Sequence, residues 1–231
     1  MKILLVIPAY NERENLPKLI DKIRSESMVC DILIVNDCST DDTERIAKER
    51  NCRVISLPIN LGIGGAVQTG FKYAGEHDYD IVIQLDGDGQ HNPEYLPDLV
   101  GKIREGYNVC IGSRFIDNKG YQSTNIRRIG IKFFRLLLKV LTGHSFTDPT
   151  SGFRAFDSKA IAYFSSFYPA DYAEPESIIM LIKQKMTIAE IPVMMNEREN
   201  GQSSIRMADS IYYAVKVTLA ICIASLTKRR Q

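Results

Sequence analysis

Two carboxylates stand two residues apart in Gln84-Leu85-Asp86-Gly87-Asp88-Gly89-Gln90-His91, directly after the apolar run Ile81-Val82-Ile83. In an extended segment, residues two apart point to the same side, so Asp86 and Asp88 can face one ion. Hard oxygen ligands of this kind suit Mg²⁺ or Mn²⁺, ions that also hold the oxygens of a diphosphate. Asp and Gly are equally favoured in plain polar turns, which is the competing reading of the segment. An EF-hand does not fit: counted from Asp86, the twelfth loop position is Pro97 where a bidentate Glu is needed.

Other polar clusters also follow apolar runs. Pro8-Ala9-Tyr10-Asn11-Glu12 supplies a stacking aromatic and a carboxylate, with Asn11 also able to cap the next helix. Ile34-Val35-Asn36-Asp37-Cys38-Ser39-Thr40-Asp41-Asp42 offers Asp37 as an acceptor for a base or ribose, while Ser39 and Asp42 read as a capping box. Asn60-Leu61-Gly62-Ile63-Gly64-Gly65-Ala66 fails the dinucleotide fingerprint, because Val67 fills the third glycine position. No phosphate-cradling GxxxxGK[ST] loop occurs either. What remains around Gly62 is a glycine-rich approach to a helix N-terminus, open to close contact by a ligand.

These clusters need strands to hold them. β-branched and apolar runs predict strands at residues 3–7, 31–35, 53–57, 81–85, 109–111 and 187–193. Between them, Leu16, Leu19, Ile20 and Ile23 recur at helical spacing, and further helices are expected up to Glu49, over 65–73 and from Pro97 to Ile103. The second half reads as helices at 126–141, 158–164, 174–185 and from about Met207. Such β-α alternation predicts an α/β protein with three layers and a mostly parallel sheet. The polar clusters then meet at the carboxyl ends of the strands, where these sheets bind ligands.

Length and composition agree with one globular domain. The chain has 231 residues, 45% hydrophobic and 25% charged, with no repeat or low-complexity tract. A net charge of +1 gives no basis for a nucleic-acid partner, so any phosphate recognition is local. The cysteines Cys30, Cys38, Cys52, Cys110 and Cys222 form no CxxC pair and read as reduced thiols of a cytoplasmic protein. The apolar N-terminus is too short for a signal peptide and reads as a buried strand. Residues 207–231 form a separate C-terminal amphipathic segment whose apolar run, cut by Lys216, falls short of the ~20 residues that span a bilayer. It is either a core helix or an interfacial one whose Lys228-Arg229-Arg230 end meets lipid headgroups.

The ordered set Pro8-Ala9-Tyr10-Asn11-Glu12, Asp37, Asn60-Leu61-Gly62, Asp86-Gly87-Asp88-Gly89-Gln90, Gly112-Ser113-Arg114 and Asp148-Pro149-Thr150-Ser151-Gly152-Phe153-Arg154 resembles the inverting family 2 glycosyltransferases. Within them it is similar to the polyprenyl- and dolichyl-phosphate sugar transferases. The resemblance runs from residue 3 to about 206 and implies a GT-A (nucleotide-diphospho-sugar transferase) fold over residues 1–206. It implies that Pro8, Tyr10, Glu12, Asp37 and Gly62 hold the nucleotide, and that Asp86, Asp88 and Gln90 hold a divalent metal and the donor diphosphate. Arg114 and Arg154 would lie near donor or acceptor phosphates, with a buried Arg154–Asp148 pair as the alternative for Arg154. The segment Glu197-Arg198-Glu199-Asn200-Gly201-Gln202-Ser203-Ser204-Ile205-Arg206 resembles the family's closing loop. It carries Ser204 where related loops often have lysine, which leaves Arg198 or Arg206 to supply charge beside Ser203.

The implied reaction moves a sugar from a UDP- or GDP-linked donor, with catalytic weight on Asp86, Asp88, Asp148 and Arg154. A lipid-phosphate acceptor needs no strong base, since its second ionisation near pH ~6 leaves it anionic. A sugar-hydroxyl acceptor, as in cell-surface polysaccharide synthesis, needs one, and Asp148, Glu174 and Glu176 are the candidates. A third reading is a non-catalytic nucleotide-sugar-binding subunit of a membrane glycosylation complex. The expected location is the cytosolic face of a membrane, by peripheral contact or through a membrane partner protein.

Overall fold

In the computed structural model, residues 1–121, 124–169, 173–197 and 209–226 are described, with backbone only at 125–126, 209–214 and 226. The chain alternates strands and helices as far as β5: β1 (Ile3–Ala9), α1 (Leu16–Ser25), β2 (Asp31–Asn36), α2 (Thr43–Glu49), β3 (Arg53–Ser56), α3 (Gly62–Glu76), β4 (Ile81–Gln84), α4 (Leu96–Arg104) and β5 (Val109–Ser113). It continues through α5 (Asn125–Thr142), β6 (Arg154–Asp157), α6 (Ser158–Ser166), α7 (Ala173–Lys183), β7 (Ile188–Pro192) and α8 (Asp209–Leu226). Among the described residues these strands form one seven-stranded sheet in the order β3-β2-β1-β4-β6-β5-β7.

Every neighbouring pair is parallel except the two pairs made by β6, which runs against both β4 and β5. Both faces of the sheet are covered, and the sequence alternation shows how. In β1, Leu4 and Val6 join the cluster beneath α3, α6 and α7, while Ile3, Leu5 and Ile7 join the cluster beneath α1 and α4. Strands buried on both faces read as unbroken apolar runs, which is why the sequence signals them so plainly.

The reversed strand β6 was not among the expected strands. Four residues, Arg154-Ala155-Phe156-Asp157, are too few for a period of two to register. Its direction has a consequence for the site. Because β6 pairs Arg154 with Gln84 and with Ile111, its starting end lies at the carboxyl ends of β4 and β5. The preceding loop, with Asp148, Ser151 and Gly152, is thereby delivered to the crevice.

Two cap assignments are corrected. Asn11 does not open α1; it has φ 56° and its side chain accepts from Thr40 N at 2.8 Å, and the helix begins after Asn15. Ser39 and Asp42 form no capping box: Ser39 Oγ accepts from Asn11 N, and Asp41 supplies the carboxylate oxygen to Thr43 N. α8 buries Val217 and Ile221 in the same cluster as α7, so one of its faces packs on the domain. No helix of the described residues is long and apolar enough to cross a membrane.

Candidate active site

The sheet changes direction of winding between β1 and β4, and the crevice opens beyond their carboxyl ends. Gly87 fits there because it has no side chain: a Cβ would stand 3.1 Å from Pro8 O and 3.4 Å from Glu12 Cγ. The acidic turn after β4 is thus pressed onto the end of β1. Tyr10 is half exposed beside it, and Glu12 Oε2 accepts from Asn15 Nδ2 at 2.6 Å. Pro8 and Glu12 thus lie against Gly87, which Asp86 and Asp88 flank.

Asp88 is buried, and its Oδ1 accepts from Gln90 N at 3.0 Å, which folds the turn around Gly89 at φ +75°. The Asp86 carboxylate points at Gly152, where a Cβ would come within 3.4 Å of both oxygens and within 3.2 Å of Gln84 Nε2. Gln84 Nε2 is itself buried without a hydrogen-bond partner among the described residues. A buried unpaired donor costs ~1–3 kcal/mol unless something accepts from it. A carboxylate and an unpaired N–H that both lie against Gly152 offer one group to a cation and one to an anionic oxygen it carries. Among the described residues no three His, Cys, Asp or Glu side chains gather tightly enough to hold an ion alone. Asp86 and Asp88 suit an ion that draws its other ligands from water and phosphate, as Mg²⁺ does.

His91 follows the acidic motif in sequence and is packed beneath it. It is buried, stacks on Phe153 with centroids 4.9 Å apart, and its Nδ1 accepts from Asp86 N at 3.0 Å. The ring proton therefore sits on Nε2, which faces Asp86 Oδ2 at 3.7 Å. Burial lowers its pKa from 6.5 to about 4, against the pull of Asp88, so the ring is neutral at pH 7. We expect His91→Phe to keep the stack and lower turnover about 10–100-fold, with weaker apparent Mn²⁺ affinity, as for residues that orient metal ligands. The unfolded chain protonates this ring first, so its contribution to stability is complete above pH 6.5 and lost as pH falls toward 4. In the metal-free protein, His91→Phe should flatten that part of the melting profile.

Other expected site residues have partners within the chain. Asp37 accepts from Leu61 N at 2.7 Å and Gly62 N at 2.9 Å, so its carboxylate caps α3 from within the chain. The amide of Gly62 is thereby engaged by Asp37. Asp148 is fully buried and pairs with Arg114, Nε to Oδ2 at 2.6 Å and Nη2 to Oδ1 at 2.8 Å. Both its oxygens are engaged by the Arg114 fork. Arg154 does not pair with Asp148; its buried guanidinium donates to Ser151 O, Pro149 O and Ser177 Oγ. It braces the loop before β6. Glu190 holds the same loop from the other side, accepting from Thr147 N and Asp148 N, both at 2.9 Å. No spacing in the sequence pointed to Glu190.

Glu174 opens α7 partly buried, and burial raises its pKa against the opposing charge of Arg154. Gln90 stands at the tip of the acidic turn, where its carbonyl accepts from Asn196 N at 2.9 Å. The expected closing loop continues from there, but Arg198, Ser203 and Arg206 lie outside the described residues.

A mostly parallel sheet with one reversed strand and an acidic turn at its switch point is the architecture of the GT-A fold. Among solved structures, glucosyl-3-phosphoglycerate synthase from Mycobacterium tuberculosis, in complex with Mn²⁺, UDP and phosphoglyceric acid, matches with a TM-score of 0.75. That match covers 100% of this chain and 80% of the other at 22% identity, which speaks for the fold. The model of glycosyl transferase family 2 matches residues 4–164, and the chain belongs to that family. Curated relatives include the undecaprenyl-phosphate mannosyltransferase of Micrococcus luteus, 30% identical over 89% of this chain and 88% of that protein. The UDP-N-acetylglucosamine–dolichyl-phosphate N-acetylglucosaminyltransferase of Methanococcus voltae is 31% identical over 83% of this chain and 84% of its own length. A dolichol-phosphate mannosyltransferase of Pyrococcus furiosus is 31% identical over 89% of this chain, which spans 60% of that longer protein.

Proposed function

We propose that this enzyme transfers a sugar, with inversion, from a nucleotide-sugar donor to the phosphate of a polyprenyl or dolichyl lipid. The observation that carries the acceptor class is a cavity of about 290 Å³ lined by Phe115, Asn118, Arg128, Ile131, Lys132 and Arg135. It begins one residue beyond Arg114, at the carboxyl end of β5, and offers three cations and no carboxylate. Arg and Lys in that number suit a phosphate oxygen cluster. The names of the relatives from M. luteus and M. voltae, which span most of the chain, support the same acceptor chemistry.

Asp86, Asp88 and Gln90 would hold a divalent cation, Mg²⁺ or Mn²⁺, which supplies charge neutralisation of the leaving diphosphate. Tyr10, Pro8 and Glu12 form the wall on which the nucleoside lies. The acceptor phosphate oxygen attacks the anomeric carbon, the bond to the donor diphosphate breaks, and the nucleoside diphosphate leaves with the electron pair. Arg128, Lys132 and Arg135 orient the nucleophile, which is anionic at neutral pH and needs no base. We expect Glu174→Gln to keep transfer to lipid phosphate within about tenfold. A fall of about 10²–10⁴-fold, the weight of a general base, would instead favour a hydroxyl acceptor.

The test is a donor screen with UDP-glucose, UDP-N-acetylglucosamine and GDP-mannose, each with Mg²⁺ or Mn²⁺ and undecaprenyl or dolichyl phosphate. Mass spectrometry should find a lipid product heavier by one sugar. Donor binding without transfer or hydrolysis would make the protein a binding subunit and overturn the proposal.

A further inference from the structure

We propose that α5 is the element by which this protein lies on an anionic membrane surface. The inference deepens the lipid-phosphate reading and rests on it. α5 carries Arg127, Arg128, Lys132, Arg135 and Lys139 over 18 residues and no Asp or Glu. Its inner face is ordinary: Ile131, Phe134 and Leu138 are buried in the domain.

The outer face is not ordinary. Ile129, Phe133, Leu136 and Val140 lie opposite the core and are 45% to 73% exposed. At ~100° per residue these positions fall within an arc of roughly 60°, so they form one continuous ridge. A surface helix in contact with water should be polar there. Arg128, Lys132, Arg135 and Lys139 each precede one ridge residue, so a cationic line runs parallel to the apolar one. Paired apolar and cationic stripes are what an interfacial helix presents to anionic lipid. α8, which touches α5, turns Val215, Leu219 and Ile223 outward in the same manner, 54% to 65% exposed.

The alternatives fit less well. No helix of the described residues can cross a bilayer, so α5 lies on a membrane instead of spanning it. A second copy paired through α5 would set one cationic line against another, with no acid on the helix to relieve the repulsion. The membrane mode also explains the cavity's position. Arg128, Lys132 and Arg135 line it, so a helix lying in the interface holds that cavity at headgroup depth, where a lipid-linked phosphate resides.

The experiment uses the full chain and vesicles without acceptor lipid, of phosphatidylcholine alone or mixed with phosphatidylglycerol. Wild type should sediment with the anionic vesicles, less so as NaCl rises, and weakly with the neutral ones. The double variant Leu136→Asp/Val140→Asp alters only exposed side chains and should keep the wild-type melting temperature and its transfer to a short-chain, water-soluble prenyl phosphate. Its partition onto anionic vesicles should fall roughly tenfold or more. Unchanged partition in the double variant, no partition of wild type, or a wild-type dimer that the double variant dissolves would each overturn the proposal. Loss of vesicle binding by the variant in a protein that transfers no sugar to any lipid phosphate would sink the functional reading alone and leave α5 docking standing.

Discussion

Asp88→Asn is expected to lower kcat/KM for sugar transfer by about 10³-fold or more while leaving the fold intact. The amide keeps an oxygen where Asp88 Oδ1 now accepts from Gln90 N, so the turn around Gly89 should survive. What is lost is one of the two negative charges proposed to hold the cation against the donor's diphosphate. Charge stabilisation of a leaving group by a bound cation is worth several kcal/mol, and about 1.4 kcal/mol is one factor of ten. Asp86→Asn should behave alike, since its carboxylate lies against Gly152 at the end of β4. Activity within tenfold of wild type, at saturating Mn²⁺ and with an unchanged melting curve, would remove the acidic pair from the chemistry.

Asp148→Asn should instead be a stability variant. Asp148 is fully buried, and both its oxygens receive the Arg114 fork. Taking the charge from one member leaves a nearly buried guanidinium without its counter-ion, a change worth ~3–5 kcal/mol. For a domain of this size each kcal/mol moves Tm by roughly 2–4 °C, so a fall of roughly 6–20 °C is expected. Arg114→Gln combined with Asp148→Asn should recover part of that loss, because neither charge is then left alone. A single variant melting within about 2 °C of wild type would show that the pair does not brace the loop before β6.

The strands holding the site were legible because burial on both faces leaves apolar runs such as Ile81-Val82-Ile83, and polar clusters directly after them mark strand ends. Asp86 and Asp88 were readable for the same reason. β6 was not, since its four residues gain their strand from pairing with β4 and β5 and not from their own pattern. The partner of Asp148 was likewise invisible: Arg154 is nearer in sequence, but reversal of β6 turns it inward and brings Arg114 across. Asp37 sits where a nucleotide contact is expected, yet its oxygens meet Leu61 and Gly62 because α3 begins against the end of β2. His91 carried no signal beyond its place beside the acidic motif, since its role depends on the Phe153 ring from a distant loop.

Calorimetric titration of UDP and of GDP, with Mn²⁺ and with EDTA, into wild type and Asp88→Asn puts the proposed metal bridge to the donor most directly at risk. One nucleotide should bind wild-type protein at least tenfold more tightly with Mn²⁺, and that gain should vanish in the variant. Equal affinity in EDTA, or an equal gain in both proteins, would contradict it.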